Sequence, residues 1–263
     1  MSTRNILHFG LNRSGTNYLK ELLNQHFDLK FMNIEGKRNH PLHKHFRLYD
    51  DKSLIGRPNF RNELKFPSFR EYEAYASGSS QHHDQQGGTA AGQKDAGSRL
   101  KDLAGNGPDE IVHTGEEAMK VVYVIISKDP YSWHLSYTRW GIKNKWSPSP
   151  HPYILEYNEF YRKWLEFSAE TDRIAFVRYI DLLQAPEEIL RQLQKKFQFM
   201  EIREINPEVR IRKVPMSRRF SKKRLNYYLE GNYLEEFSNE ALIELNNNLD
   251  HEVAKRLGYT IRA

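Results

Sequence analysis

The chain has no cysteine, so it can build neither a disulfide framework nor a thiolate metal site. It has no apolar run long enough to span a bilayer. No signal peptide is visible, and Met1 to Arg4 lead straight into an apolar stretch, so a soluble, cytoplasmic protein is expected. From Ala76 to Glu110 there is no aromatic residue, and Leu100 and Leu103 are the only large apolar side chains. Seven of the chain's 15 glycines fall between Gly78 and Gly107. Such a segment buries too little surface to offset its ordering entropy, so residues 77–109 read as a flexible insertion or lid. Acid is missing from Arg210 to Arg224, which holds eight Lys or Arg.

What remains is ample for a core. The chain has 263 residues, 13% of them aromatic, and a net charge of +6 that favours anionic ligands. Apolar runs at Ile6 to Phe9, Leu29 to Met32, Lys120 to Ser127 and Arg173 to Tyr179 read as strands, the third as a continuous β-branched and aromatic run suited to the centre of a parallel sheet. Helical periodicity follows after Gly15, after Pro130, over Tyr153 to Ala169, over Pro186 to Phe197 and over Asn239 to Leu257. Trp140, Trp146 and the proline-rich run Ser147 to Pro152 mark a loop. Strands alternating with helices predict an α/β fold, with a central parallel sheet flanked by helices and residues 1–263 forming one domain.

The first strand feeds a loop bounded by Gly10 and Gly15, and the loop opens a helix with Tyr18, Leu19, Leu22 and Leu23 on one face. This arrangement suits a phosphate, because tight glycine turns aim the first helical N–H groups at an anion with the helix dipole behind them. A Walker loop would follow its second glycine with Lys and then Ser or Thr. Here Thr16 and Asn17 follow, and the cation of the loop is Arg13. The loop is poorly built for magnesium and ATP.

Asn12-Arg13-Ser14-Gly15-Thr16-Asn17 resembles the phosphosulfate loop of sulfotransferases that use 3′-phosphoadenosine-5′-phosphosulfate (PAPS), which reads Pro-Lys/Arg-Ser-Gly-Thr-Thr; both flanks depart from it. Two later stretches resemble the same family in order. Lys128-Asp129-Pro130 follows the strongest strand, and Ser136-Tyr137 follows with Ser136 eight positions after Lys128, where the family has Arg-x-Pro and a 3′-phosphate serine. Arg178-Tyr179-Ile180-Asp181-Leu182 is similar to the family's Arg-Tyr-Glu-Asp-Leu, and no chemistry is assigned to it. The ending Leu257-Gly258-Tyr259 is also common there.

The resemblance implies a P-loop-like sulfotransferase architecture and transfer of a sulfuryl group from PAPS to a hydroxyl or amine, leaving the product PAP (3′-phosphoadenosine-5′-phosphate), without a metal. Arg13, Ser14, Gly15, Thr16 and Asn17 would hold the 5′ end, the N–H groups of Ser14 to Asn17 taking the phosphate, with Arg13 neutralising charge on the leaving group. Lys128 and Ser136 would hold the 3′-phosphate, and part of the basic run would close over it. The expected partner is a hydroxyl-bearing acceptor, a carbohydrate or a small molecule, with no nucleic acid beyond the nucleotide.

Three residues are candidates for the base. Glu35 and the Lys44-His45 pair fall where members of the family keep a glutamate or a Lys-His pair, and His113 lies just before the strong strand. A histidine titrates near ~6.5 with little tuning, whereas Glu35 stands beside Lys37 and Arg38, which hold a carboxyl pKa down. His45 therefore ranks first, ahead of His113 and Glu35. Two other function classes fit parts of the chain: a P-loop nucleotide or small-molecule kinase, and a basic nucleic-acid-binding module using Arg210 to Arg224. A metal site at His40, His43 and His45 lacks a fourth ligand.

Overall fold

The computed structural model describes residues 3–35, 40–46, 48, 63–81, 121–145, 151–205 and 222–262. Strand β1 (Arg4–Phe9) leads through the glycine loop into α1 (Thr16–His26) and β2 (Leu29–Phe31). A 3-10 turn at Glu63–Lys65 precedes α2 (Phe69–Gln81), and β3 (Val121–Ser127) runs into α3 (Pro130–Lys143). Next come α4 (Ile154–Glu170), β4 (Ile174–Arg178), α5 (Tyr179–Gln184) and α6 (Pro186–Phe197). The described chain closes with α7 (Lys222–Leu229), a 3-10 turn at Asn232–Glu236, α8 (Asn239–Asn248) and α9 (His251–Arg256).

Among the described residues the sheet has four parallel strands in the order β2-β1-β3-β4. Alternate side chains of the strands go to opposite faces, and both faces are covered. Leu7, Phe9, Tyr123 and Ile125 pack with Tyr157, Tyr161 and Trp164 of α4. Ile6, Val122, Val124 and Ile126 pack with Leu19, Leu22 and Leu23 of α1 and Leu190, Leu193 and Phe197 of α6. This double coverage explains the unbroken apolar run of β3, of which Val122 to Ser127 are all buried. The chain leaves β1 towards β2 on one side and reaches β3 on the other, so the strand order reverses at the carboxyl ends of β1 and β3. That crevice is where open α/β sheets bind ligands. Among the described residues no helix is long and apolar enough to cross a membrane.

Several boundaries differ from the sequence reading. Helix α2 continues through Gln81 into the 77–109 segment, the rest of which lies outside the described residues. Trp140 belongs to α3 and not to a loop: the helix runs on through Gly141 to Lys143, and the Asn144 side-chain amide closes it on the Trp140 carbonyl at 2.6 Å. Strand β4 stops at Arg178, and Tyr179 already begins a helix. The expected helix over Asn239 to Leu257 is two helices, broken at Leu249 and Asp250. Asp250 caps α9 by accepting from the Val253 N–H at 3.1 Å, and the buried Asn158 side chain bonds Asn248 O and Asp250 N across the break.

Candidate functional site

The glycine loop is tightly specified. Gly10 leaves no room for a side chain, since a Cβ there would lie 2.8 Å from Ile126 Cγ2 and 2.9 Å from the Ile126 carbonyl. Gly15 caps α1 at φ 103, and a Cβ would sit 2.5 Å from Cδ2 of Tyr179. The Trp133 indole N–H of α3 donates to the Asn12 carbonyl at 3.0 Å and pins the loop from the side. Ser14 is fully buried, and both its N–H and its hydroxyl donate to the Leu11 carbonyl, at 3.1 and 2.7 Å. Its N–H is thus occupied within the loop in this structure. The N–H groups of Gly15, Thr16 and Asn17 are placed for an anion, at a helix end with no side-chain cap and no acid in its first turn.

Arg13 has φ 73, in the left-handed region that side chains with a Cβ avoid. The loop holds it there, and its guanidinium lies 5.0 Å from the centre of the Trp140 ring. A strained cation at the mouth of the crevice is a functional candidate by conformation as well as by charge.

The second part of the site lies at the end of β3. Lys128 is buried, 3% exposed, and Nζ donates to Ser136 Oγ at 2.8 Å and to Tyr228 OH at 3.4 Å. The Ser136 hydroxyl in turn donates to the Ser132 carbonyl at 2.8 Å. The side chain of Asp129 caps α3 by accepting from the N–H groups of Tyr131 and Ser132, so the backbone on both sides of Lys128 is fixed. The rings of Tyr228 and Tyr179 lie 4.6 and 5.7 Å from Nζ. Burial, followed by the charge of Arg13, pushes the Lys128 pKa down to about 7; Asp129 acts in the opposite sense.

Arg13 of the loop and Ser136, to which Lys128 is bonded, border one cleft of about 1020 Å³. Arg13, Ser136 and Trp140 line it from one side, Lys223, Arg224, Tyr227 and Tyr228 of α7 from the other. Lys222 to Arg224 are the described end of the basic run, and its remaining residues lie outside the described residues. The sequence reading assigned no side chain of that run and no role to Trp140, Tyr227 or Tyr228. It gave Tyr179 no chemistry either, yet this ring packs on Gly15 and faces Lys128. The Tyr-x-Asp-Leu spacing did mark the position. Arg178 holds it with two bonds to Asp181, at 2.6 and 2.7 Å, and a third to the Gly258 carbonyl at 2.7 Å. Tyr259 OH lies 2.9 Å from Ser127 Oγ, which docks the chain's Leu257-Gly258-Tyr259 end beside β3.

The candidate bases separate clearly. His45 touches the loop, its Nδ1–H donating to the Gly10 carbonyl at 3.2 Å and leaving Nε2 as the proton acceptor. Burial holds its pKa down to about 4, against the raising effect of the Gly10 bond; Lys44 and His43 lower it further. Glu35 is 81% exposed and pairs with Lys20 at 3.8 Å. His113 lies outside the described residues. The other histidines of the loop are committed locally: His40 accepts from the Leu42 N–H and meets Tyr75 OH, and His43 Nδ1 lies against the His45 backbone, 3.1 Å from its carbonyl oxygen and 3.3 Å from its nitrogen.

No family model and no curated protein sequence matches the chain. Among solved structures it is similar to mouse sulfotransferase SULT7A1 complexed with PAP, at 10% identity and a TM-score of 0.46, over 98% of this chain and 88% of that one. It is also similar to the sulfotransferase domain from the curacin biosynthetic pathway, at 13% identity and a TM-score of 0.44, over 100% of this chain and 99% of that domain.

Proposed function

We propose that the chain is a PAPS-dependent sulfotransferase acting on a hydroxyl or amine acceptor. The observation that carries the reading is that Arg13 of the glycine loop and Ser136, the partner of the buried Lys128, line one cleft. Arg13 and the α1 N-terminus stand at the end of β1, and Lys128 with Ser136 stands at the end of β3. A ligand with an anionic group at each end and a flat ring between them fits this layout, with Trp140, Tyr227 and Tyr228 as the aromatic surfaces. The residues present therefore suit a nucleotide phosphorylated at both the 3′ and 5′ positions.

Roles follow from position. The N–H groups of Gly15 to Asn17 take the 5′-phosphate, and Arg13 neutralises the charge that develops on its bridging oxygen as the bond to sulfur breaks. Lys128 and Ser136 take the 3′-phosphate, with Arg224 closing from α7. Nε2 of His45 accepts the proton of the acceptor as its oxygen or nitrogen bonds to sulfur. In-line placement and charge neutralisation supply the rate, as in phosphoryl transfer.

Thermal shift tests the reading. PAP without metal stabilises the protein if the proposal is right. Stabilisation by Mg-ATP but not by PAP points to a kinase, and stabilisation by an oligonucleotide alone points to a nucleic-acid-binding module.

A further inference from the structure

Strand β2 ends at Phe31, but pairing along β1 continues past it. The Met32 N–H still donates to the Ile6 carbonyl at 2.9 Å, and beyond it the side-chain amide of Asn33 stands in for a strand. Its Oδ1 accepts from the His8 N–H at 3.1 Å, and its Nδ2 donates to the His8 carbonyl at 3.0 Å. The same Nδ2 donates to the Leu42 carbonyl at 3.3 Å, which also accepts from the Ile34 N–H at 3.0 Å. Two residues further along each chain, the Gly10 N–H donates to the Lys44 carbonyl at 3.1 Å, and His45 Nδ1–H donates to the Gly10 carbonyl at 3.2 Å. The loop that carries His45 is thus tied to the exit of β1 at Leu42 and again at Lys44 and His45, and Asn33 makes the first tie.

The orientation of the amide is fixed by what surrounds it. Reversed, it would set its oxygen against two carbonyls. Oδ1 also lies 2.6 Å from His8 Nδ1, and because an amide oxygen only accepts, Nδ1 carries the proton. His8 is fully buried, its ring edge-on to Phe31 with centres 5.1 Å apart. Burial pushes its pKa down to about 3, against the raising effect of the Asn33 bond; Lys44, Lys20 and His45 lower it further. The imidazole is therefore neutral and holds Asn33 as a fixed donor.

We infer that Asn33 is a positioning residue, holding the loop so that Nε2 of His45 meets the acceptor's proton. This rests on the proposed sulfotransferase function, with His45 as its base. Asn33 moves no proton itself; it acts through the Leu42 carbonyl, three residues before His45. Without it the Ile34 bond remains, and the Tyr72 hydroxyl still donates to the Pro41 carbonyl at 3.1 Å, so the loop stays folded. What is lost is the tie from Leu42 to His8. A displacement of about 1 Å in a reacting group costs on the order of 100-fold in rate. A looser loop also lets water reach the His45 ring. Burial is the main cause of its lowered pKa, ahead of Lys44 and His43, so that pKa rises.

Asn33→Ala removes the amide. Asn33→Ser is a second replacement should the first fail to melt cooperatively, its hydroxyl too short to span His8 and Leu42 together. The expected result is a PAP-induced thermal shift close to wild type, with kcat at saturating PAPS down by about 100-fold. The acid limb of kcat/KM should move up from near pH 4 toward the ordinary histidine value of about 6.5. A purely structural role would lower the melt and leave that limb in place. Turnover near wild type in the variants overturns the inference, as does lost turnover with an unmoved acid limb, or a PAP shift that falls in parallel with turnover. A wild-type protein that PAP fails to stabilise overturns the underlying function and this inference with it.

Discussion

Lys128 Nζ donates to Ser136 Oγ at 2.8 Å, joining the end of the central strand to the second turn of the helix that follows it. Among the described residues no carboxylate bonds the buried Nζ, which makes the lysine costly to charge. Its pKa near 7 lies well below the usual ~10.4, so between these values the unfolded chain binds the proton that the folded chain gives up. Stability of the ligand-free protein should therefore rise as pH increases from about 7 to about 10, by on the order of 4 kcal/mol from this group. Lys128→Met should flatten the rise, as read from urea midpoints across pH. An unchanged pH dependence in the variant removes Lys128 as its source.

Arg13→Gly relieves a left-handed residue of its Cβ while deleting the guanidinium. The melt should stay within about 1 kcal/mol of wild type, since the strain relieved is of the order of the glycine entropy added. Turnover should fall by about 100-fold or more, as for a lost transition-state contact. A variant that keeps more than a tenth of the wild-type rate would show that Arg13 does not serve the transition state.

Gly15→Ala should do the reverse, damaging structure and binding together. The new Cβ meets the Tyr179 ring at 2.5 Å, and φ 103 is unfavourable for alanine. The expected cost is about 2–3 kcal/mol, with weakened PAP binding because both the helix end and the ring beside Lys128 move. Normal stability and normal PAP affinity in this variant contradict the packing described here.

Much of this was legible in the sequence. The strand, glycine loop and helix from Arg4 to His26 show because period and glycine placement are local properties, and the spacing of Lys128 and Ser136 shows because both lie on one strand-helix joint. Tertiary contacts do not show in the same way. Tyr179 gains its place from a ring packed on Gly15, and the break at Leu249 and Asp250 depends on Asn158, far away in sequence. Ser14 matches a binding motif, yet its hydrogen bonds close the loop on itself. The three histidines of residues 40–45 look alike in sequence, and only hydrogen bonding singles out His45 as the one that bonds to the loop.

The pH profile should bear the mark of both ends of the site. kcat/KM for PAPS reports the free enzyme, in which His45 titrates near about 4 and Lys128 near about 7. Catalysis needs the first deprotonated and the second protonated. The expected profile is a bell with its acid limb near pH 4 and its alkaline limb near pH 7. His45→Ala should lose turnover at saturating PAPS and keep PAP affinity. An acid limb at the ordinary histidine value, about 6.5, would point to a different base.

The most direct measurement is calorimetric titration of the wild-type protein with PAP and, separately, with AMP, which lacks only the 3′-phosphate, both without metal. The proposed sites for the two phosphates predict that PAP binds at least about tenfold more tightly than AMP, a difference of ~1.4 kcal/mol or more. They also predict that Ser136→Ala and Lys128→Met shrink this gap and leave AMP binding nearly unchanged. Equal affinities for PAP and AMP in the wild-type protein would contradict the assignment of Lys128 and Ser136, and with it the proposed function.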